Sequence, residues 1–335
     1  MKIRIQYIIK CSMLAKKIKK DNVNNYFISF TPEAKKFYYQ KKINRIKGQS
    51  DLKDIFFNQN KYAENIAELE VNGFTIIKNF FNKKEIEKLS NKVDNFISTG
   101  ENLEGVRDNQ RELKEKKKFF ERIWLSKEEI KKVSYNQLKQ KTNGITISNP
   151  LVTFPEFVKM FSQKKFMEVL YNYYECIPEL TYIKVRKAFA NKLPANDTQF
   201  FHRDSGSYRL LKALIYLNDV NINTGPFTYT QKSHLKFDFP SKKLRFTDKE
   251  ISKFYGSKNI KHLTAKKGDL VLANTTAFHK GLKPKKHDRN ICIANFCLHD
   301  EVGFSYSKIK IKSQDFKKLN LVQQVLFKGL NKISS

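Results

Sequence analysis

In the stretch TQFFHRDSG, His202 and Asp204 flank Arg203, and these types at this spacing permit two different chemistries. In a strand, residues i and i+2 project from one face, so an imidazole and a carboxylate can reach one metal ion while Arg203 points away. The same His-Arg-Asp run also opens the catalytic loop of protein kinases. That loop needs an Asn five residues beyond its Asp to hold a second magnesium, and here the position is Arg209. The nearest approach to a magnesium-binding Asp-Phe-Gly is Asp238-Phe239-Pro240, whose proline cannot supply the turn, and no glycine-rich phosphate loop precedes it. Kinase chemistry is excluded. Metal chemistry remains.

A facial site of two histidines and one carboxylate needs one further, distant imidazole. His279, in GDLVLANTTAFHKG, follows an apolar strand and precedes Gly281, a strand-end position like that of His202. His234, in TQKSHL, is the main competitor and is expected instead to pin its own loop through a hydrogen bond. His262 and His287 lie in lysine-rich segments and read as exposed and unliganded. His299 follows the last β segment and is at most an outer neighbour of the site. Arg289 opens the strand RNICIANF, ten residues after His279. A guanidinium there can pair bidentately with a carboxylate. The order His-x-Asp, His, Arg is what a site requires to hold both Fe(II) and an α-keto acid with a distal carboxylate. Cys292, Cys297 and His299 also cluster, but their spacing fits no zinc pattern and the segment alternates like a strand, so buried thiols are expected.

The elements that must position these residues are legible in outline. ELEVNGFTIIKNFF reads as a helix end, a turn at Asn72-Gly73 and a strand from Phe74 to Lys78. Asn82 is a good N-cap, with Glu85 three residues on, and Ile86, Leu89, Val93, Phe96 and Ile97 share one helical face ending near Gly100. Residues 101–140 are dense in mixed charge and read as a solvated helical insert anchored by Phe119, Phe120, Ile123 and Trp124. A further helix runs roughly from Ser162 to Cys176. From TYIKVRKAFA onward short alternating or apolar segments follow one another, separated by turn residues, the pattern of a sandwich or jelly roll. SQDFKKLNLVQQVLFKGL then reads as one amphipathic helix with Leu321, Val325 and Leu326 on its apolar side.

Composition bounds the rest. Hydrophobic content of 40% with 28 Phe argues for a folded globule. The net charge of +32 is spread along nearly the whole chain, whereas a nucleic-acid arm concentrates its charge in one block. A lysine-rich solvated surface is the simplest account, and attraction of anionic partners the functional one. Nucleic acid is not expected as a partner. Four scattered cysteines cannot form a disulfide framework. The basic N-terminal run has no clean apolar h-region, and no stretch reaches membrane-spanning length, so a soluble, cytoplasmic protein is expected.

FHRDSGSYRLLKALIYLNDVNINTGPFTYTQKSHL, together with GDLVLANTTAFHKG and the following Arg289, resembles the phytanoyl-CoA dioxygenase-like branch of the Fe(II)/2-oxoglutarate oxygenases. NGFTIIKNFFNKKEIEKL resembles that family's N-terminal opening, and the likeness covers roughly residues 62–300. It implies an α+β fold: a double-stranded β-helix, jelly-roll or cupin-like, with N-terminal helices packed on one sheet and a C-terminal helix. Around that core the chain reads as a basic, mostly helical extension over 1–60, an oxygenase domain over 61–310 with the helical insert at about 101–140, and a closing amphipathic helix over 311–335, the extension and the insert lying outside what the family shares. It implies His202, Asp204 and His279 as iron ligands and Arg289 as the clamp for the far carboxylate of 2-oxoglutarate. Lys212 and Tyr216, which share a strand face with Leu214, are expected to line the cosubstrate pocket. Octahedral Fe(II) would keep two positions for the keto-acid end and one for O2. The expected reaction hydroxylates a small or medium-sized metabolite, anionic and glycan-linked compounds included, with release of succinate and CO2. The alternative is a basic nucleic-acid-binding or non-catalytic jelly roll.

Overall fold

The computed structural model describes residues 61–98, 103–106, 124–125, 135–147, 149–175, 177–204, 209–236, 243–297 and 309–334. The N-terminal extension, His299 and the anchors Phe119, Phe120 and Ile123 lie outside them. The described chain begins with α1 (Ala63–Asn72) and β1 (Phe74–Ile77), joined by Gly73 at φ +88°. Only glycine fits there, because a Cβ would sit 2.1 Å from the Tyr229 hydroxyl oxygen. Next comes α2 (Lys83–Ser98), capped by Asn82 Oδ1, which accepts from the amides of Lys84 and Glu85.

Two short strands, β2 (Leu103–Val106) and β3 (Trp124–Leu125), precede α3 (Tyr135–Lys141) and β4 (Gly144–Ile147). Three helices follow: α4 (Pro150–Thr153), α5 (Glu156–Phe161) and α6 (Lys164–Tyr174). The β body comprises β5 (Glu179–Ala188), β6 (Leu211–Tyr216) and β7 (Phe227–Thr230), then α7 (Asp248–Tyr255) and β8 (Ile260–Leu263). It continues through β9 (Leu270–Asn274), β10 (His279–Gly281) and β11 (Arg289–Cys297). The chain closes with β12 (Lys310–Lys312), α8 (Ser313–Lys317), α9 (Leu321–Leu326) and β13 (Asn331–Ile333).

Eight strands form one sheet in the order β1-β9-β6-β11-β5-β4-β2-β3, and β10-β7-β8 form a second. They face each other as a double-stranded β-helix without closing into a barrel. The apolar run LKALIY of β6 shows why its sequence barely alternates. Ala213 and Ile215 enter a core shared with Val93, Phe161 and Phe166 of the helices, while Leu214 enters a second core with Phe227 and Tyr229 of the smaller sheet. Both faces are covered, so both are apolar. Among the described residues no helix is long and apolar enough to cross a membrane.

Two expectations are corrected. The described parts of 101–140 include β2 and β3, which extend the larger sheet beyond β4. A sheet edge captures extended chain by hydrogen bonding, and charge density alone does not report that. The single helix expected near the C-terminus is two, α8 and α9. Asn320 and Gln323 form a capping box that starts α9 afresh. Leu321, expected on the apolar side, is 80% exposed, whereas Leu326 is buried.

Candidate metal centre

The backbone sets the geometry of the three candidate ligands. His202 pairs antiparallel with His279, each amide donating to the other's carbonyl at 2.9 Å. The Asp204 amide donates to Thr275 O at 2.9 Å. The two imidazoles therefore lie side by side, with ring centroids 4.3 Å apart. Asp204 Oδ1 is 3.9 Å from His202 Nε2, and Asp204 Oδ2 is 3.6 Å from His279 Nε2. One donor atom from each residue falls within 4.8 Å of the others, a spacing that three ligands about 2 Å from a common ion can close.

Protonation is set by the neighbours. His202 Nδ1 donates to Phe200 O at 2.9 Å and His279 Nδ1 donates to Ala277 O at 3.0 Å. Carbonyls only accept, so Nδ1 carries the proton in both rings and Nε2 presents its lone pair toward Asp204. Burial pushes His202 down to about 4, outweighing the attraction of Asp204. Burial and the neighbouring His202 hold His279 well below the ordinary imidazole value. For Asp204 burial acts upward, but the Lys212 ammonium and the two imidazoles overcome it and keep the carboxyl well below its usual range. Lys212 Nζ reaches Asp204 Oδ2 at 2.6 Å. His279 Nε2 is buried with no hydrogen-bond partner in the protein, a costly arrangement for an acceptor that a cation would satisfy. The donor set fits a divalent transition metal.

Arg289 lies at the start of β11, buried, with Nη1 donating to Leu282 O at 3.2 Å and Nε buried without a protein partner. Burial lowers it to about 10, which still leaves it charged at neutral pH. Its Nη2 lies 3.3 Å from where a side chain at Gly281 would begin. Gly281 is two residues beyond His279 on the same strand face, about 7 Å along β10. That offset suits a short dicarboxylate held at one end by a metal and at the other by a guanidinium.

His202, His279, Lys212 and Arg289 line one cavity of about 120 Å³ between the sheets. Tyr216 does not. It shares the face of Lys212 as expected, but its hydroxyl donates to Leu263 O and accepts from the Phe227 amide, both at 3.0 Å. Tyr216 is a tie between the two sheets. The lining residues that went unnoticed in the sequence include Tyr182, Lys184 and Arg186 of β5. Their i, i+2, i+4 spacing in TYIKVRKA was the available signal.

The other described histidines, His234, His262 and His287, behave as expected. His234 Nε2 donates to Glu70 O at 2.9 Å and pins its loop to α1. His262 and His287 are exposed. Arg203 points away from the site, stacking 4.3 Å over Phe278 and donating to Ser233 O at 2.8 Å. Cys292 and Cys297 are buried thiols.

A family model described as phytanoyl-CoA dioxygenase (PhyH) matches residues 69–285, from the end of α1 to the loop before β11. The chain belongs to this family. As a phytanoyl-CoA dioxygenase family member it is a dioxygenase-type enzyme dependent on iron, 2-oxoglutarate and O2, the groups for which the His-Asp-His set, with both imidazoles buried, and the cavity are suited. Among solved structures it is similar to the non-heme alpha ketoglutarate dependent epimerase SnoN from nogalamycin biosynthesis. There the identity is 12% over 70% of this chain and 82% of that one, with a TM-score of 0.48. It is also similar to HygX from Streptomyces hygroscopicus with nickel and 2-oxoglutarate bound: 14% identity, 71% and 87% coverage, TM-score 0.45. A third is EctD from S. alaskensis with bound Fe: 15% identity, 70% and 76% coverage, TM-score 0.46. No curated protein matches the sequence.

Proposed function

We propose that this phytanoyl-CoA dioxygenase family member hydroxylates an unactivated C–H bond of a small or medium-sized metabolite, releasing succinate and CO2. His202, Asp204 and His279 are the ligands of the ferrous ion, and Arg289 fixes the distal carboxylate of 2-oxoglutarate. The observation that carries this reading is the reciprocal backbone pair between His202 and His279, which presents two unprotonated Nε2 atoms to one carboxylate. Bound iron supplies the capacity to couple decarboxylation of the keto acid to oxidation of the substrate by O2.

The chain's own residues do the rest. Phe200 O and Ala277 O hold the imidazoles in one tautomer. Lys212 keeps Asp204 ionised and aimed at the rings. With that carboxylate in place, the reading is hydroxylation, or a related desaturation or ring closure, rather than a reaction needing an extra open coordination position. Arg289 orients the cosubstrate, and the facing sheets exclude bulk water. Residues 61–310 are proposed as the catalytic unit, with 1–60 and 311–335 as additions to it. The thiols at Cys292 and Cys297 suit a reducing compartment, which favours the cytoplasm.

The test is succinate release by the purified protein. Release is expected to need both Fe(II) and 2-oxoglutarate and to vanish in Asp204→Ala. In His279→Ala, iron affinity is expected to fall by more than about 100-fold, beyond what loss of an outer partner costs. Parent-like iron binding in His279→Ala would remove that imidazole from the site.

A further inference from the structure

We propose that the substrate carries an anionic group, a phosphate monoester or a carboxylate, held by Lys184 and Arg186 beside Tyr182 on the inner face of β5. The proposal rests on the oxygenase reading above and names the class of compound that the same cavity accepts.

Alternation along β5 divides its residues cleanly. Ile183 and Val185 enter the core beneath the helices, while Tyr182, Lys184 and Arg186 line the cavity. The inner face of a sandwich strand is ordinarily apolar; on β9 it is, with Val271 and Ala273, and on β6 it is at Leu214, Lys212 being the exception that pairs with Asp204. Lys184 and Arg186 turn toward the cavity beside Lys212 and Arg289, and four cations around one small volume set up a potential that favours an anion. The one acid among the lining residues is Asp197, which holds Arg245 at 2.8 Å, while Asp204 next to the cavity holds Lys212 at 2.6 Å. Ferrous ion and 2-oxoglutarate, a dication and a dianion, cancel each other's charge. Lys184 and Arg186 also make contacts within the protein, so the inference rests on where they face and on the surplus of cations in the walls.

The row is also graded and given room. Tyr182 is 36% exposed, Lys184 and Arg186 are half-buried and Arg289 is buried, so an entering anion meets the cations in order. Arg186 Nε lies 3.1 Å from where a side chain at Gly144 would begin, much as Arg289 lies over Gly281. Both guanidinium groups rest over glycines, Arg186 over one on the adjacent strand β4 and Arg289 over one on β10 of the facing sheet. Lys184 and Arg186 start about 7 Å apart along the strand, a separation that two long side chains can close on one anion.

The experiment uses the full chain loaded with Mn(II) and saturating 2-oxoglutarate, titrated calorimetrically with phenyl phosphate, benzoate and phenol. At least one anion is expected to bind ten or more times as tightly as phenol, and which one does so separates phosphate from carboxylate. Lys184→Gln and, separately, Arg186→Gln are expected to weaken that binding about tenfold or more, with Lys184→Arg restoring most of it. Should neither anion outbind phenol in the parent, or both glutamine variants bind like the parent, the proposal is overturned. A parent that binds no 2-oxoglutarate with the metal would instead overturn the oxygenase reading, and this assignment with it.

Discussion

Three strands face eight, so the smaller sheet covers only part of the larger one, and the covered and uncovered parts differ in kind. Beneath β6 and β9, Leu214, Val271 and Ala273 meet Phe227 and Tyr229 with no side chain left exposed beyond a few per cent. Beneath β5 the same sheet face carries Tyr182, Lys184 and Arg186 around open volume. Where the partner sheet is present, the gap is filled and stabilises the fold by about 1.5–3 kcal/mol for each fully buried large apolar side chain. Between β5 and the β10 end of the smaller sheet the gap stays open, and there it becomes a site. Packing thus weighs on β6 and β9 and the open cavity on β5, with Lys212 of β6 and Arg289 of β11 reaching into the cavity from the packed side.

That division is open to direct attack. Leu214→Ala is expected to cost about 2–5 kcal/mol of folding stability in denaturant titrations while leaving 2-oxoglutarate affinity near the parent's. A large loss of cosubstrate affinity would erase the distinction. Arg289→Ala is expected to do the opposite, raising the 2-oxoglutarate requirement for succinate release by about 100-fold through loss of a charge-assisted pair, with iron affinity little changed. An unaltered requirement would take Arg289 out of the site. Tyr216→Phe sharpens the boundary, since Tyr216 lies next to the site without lining it. Loss of its hydroxyl leaves a buried carbonyl and amide unpaired, so at least about 1 kcal/mol of stability should go. The cosubstrate requirement should not move.

Much of this was readable from residue order because local rules and the final fold agree. His202 and Asp204 sit two apart in extended chain, and a second imidazole at a strand end needed only a partner strand to meet them. The cations of β5 escaped notice for a physical reason. TYIKVRKA states that alternate residues face opposite ways, but the usual assumption sends Lys and Arg to solvent, and here they turn toward a cavity. Lys212, a lysine in a central strand, was expected at the pocket, but its pairing with Asp204 was not. At the C-terminus the apolar spacing runs unbroken across Asn320, and only the cap chemistry of Asn320 with Gln323 marks where one helix stops and another begins. The short strand GITI, buried along its whole length as β4, follows a charge-rich segment and offers too few residues for a period to emerge.

The main-chain link between His202 and His279 fastens the two ends of a long excursion that includes β6, β7, α7, β8 and β9. An ion held there, as proposed, would bridge those ends a second time and act as a reversible staple on a loop whose closure costs entropy. Loading the protein with ferrous ion should therefore slow its global unfolding as well as switch on its chemistry, and chelation should shorten its lifetime against proteases at temperatures where the unloaded chain is already opening.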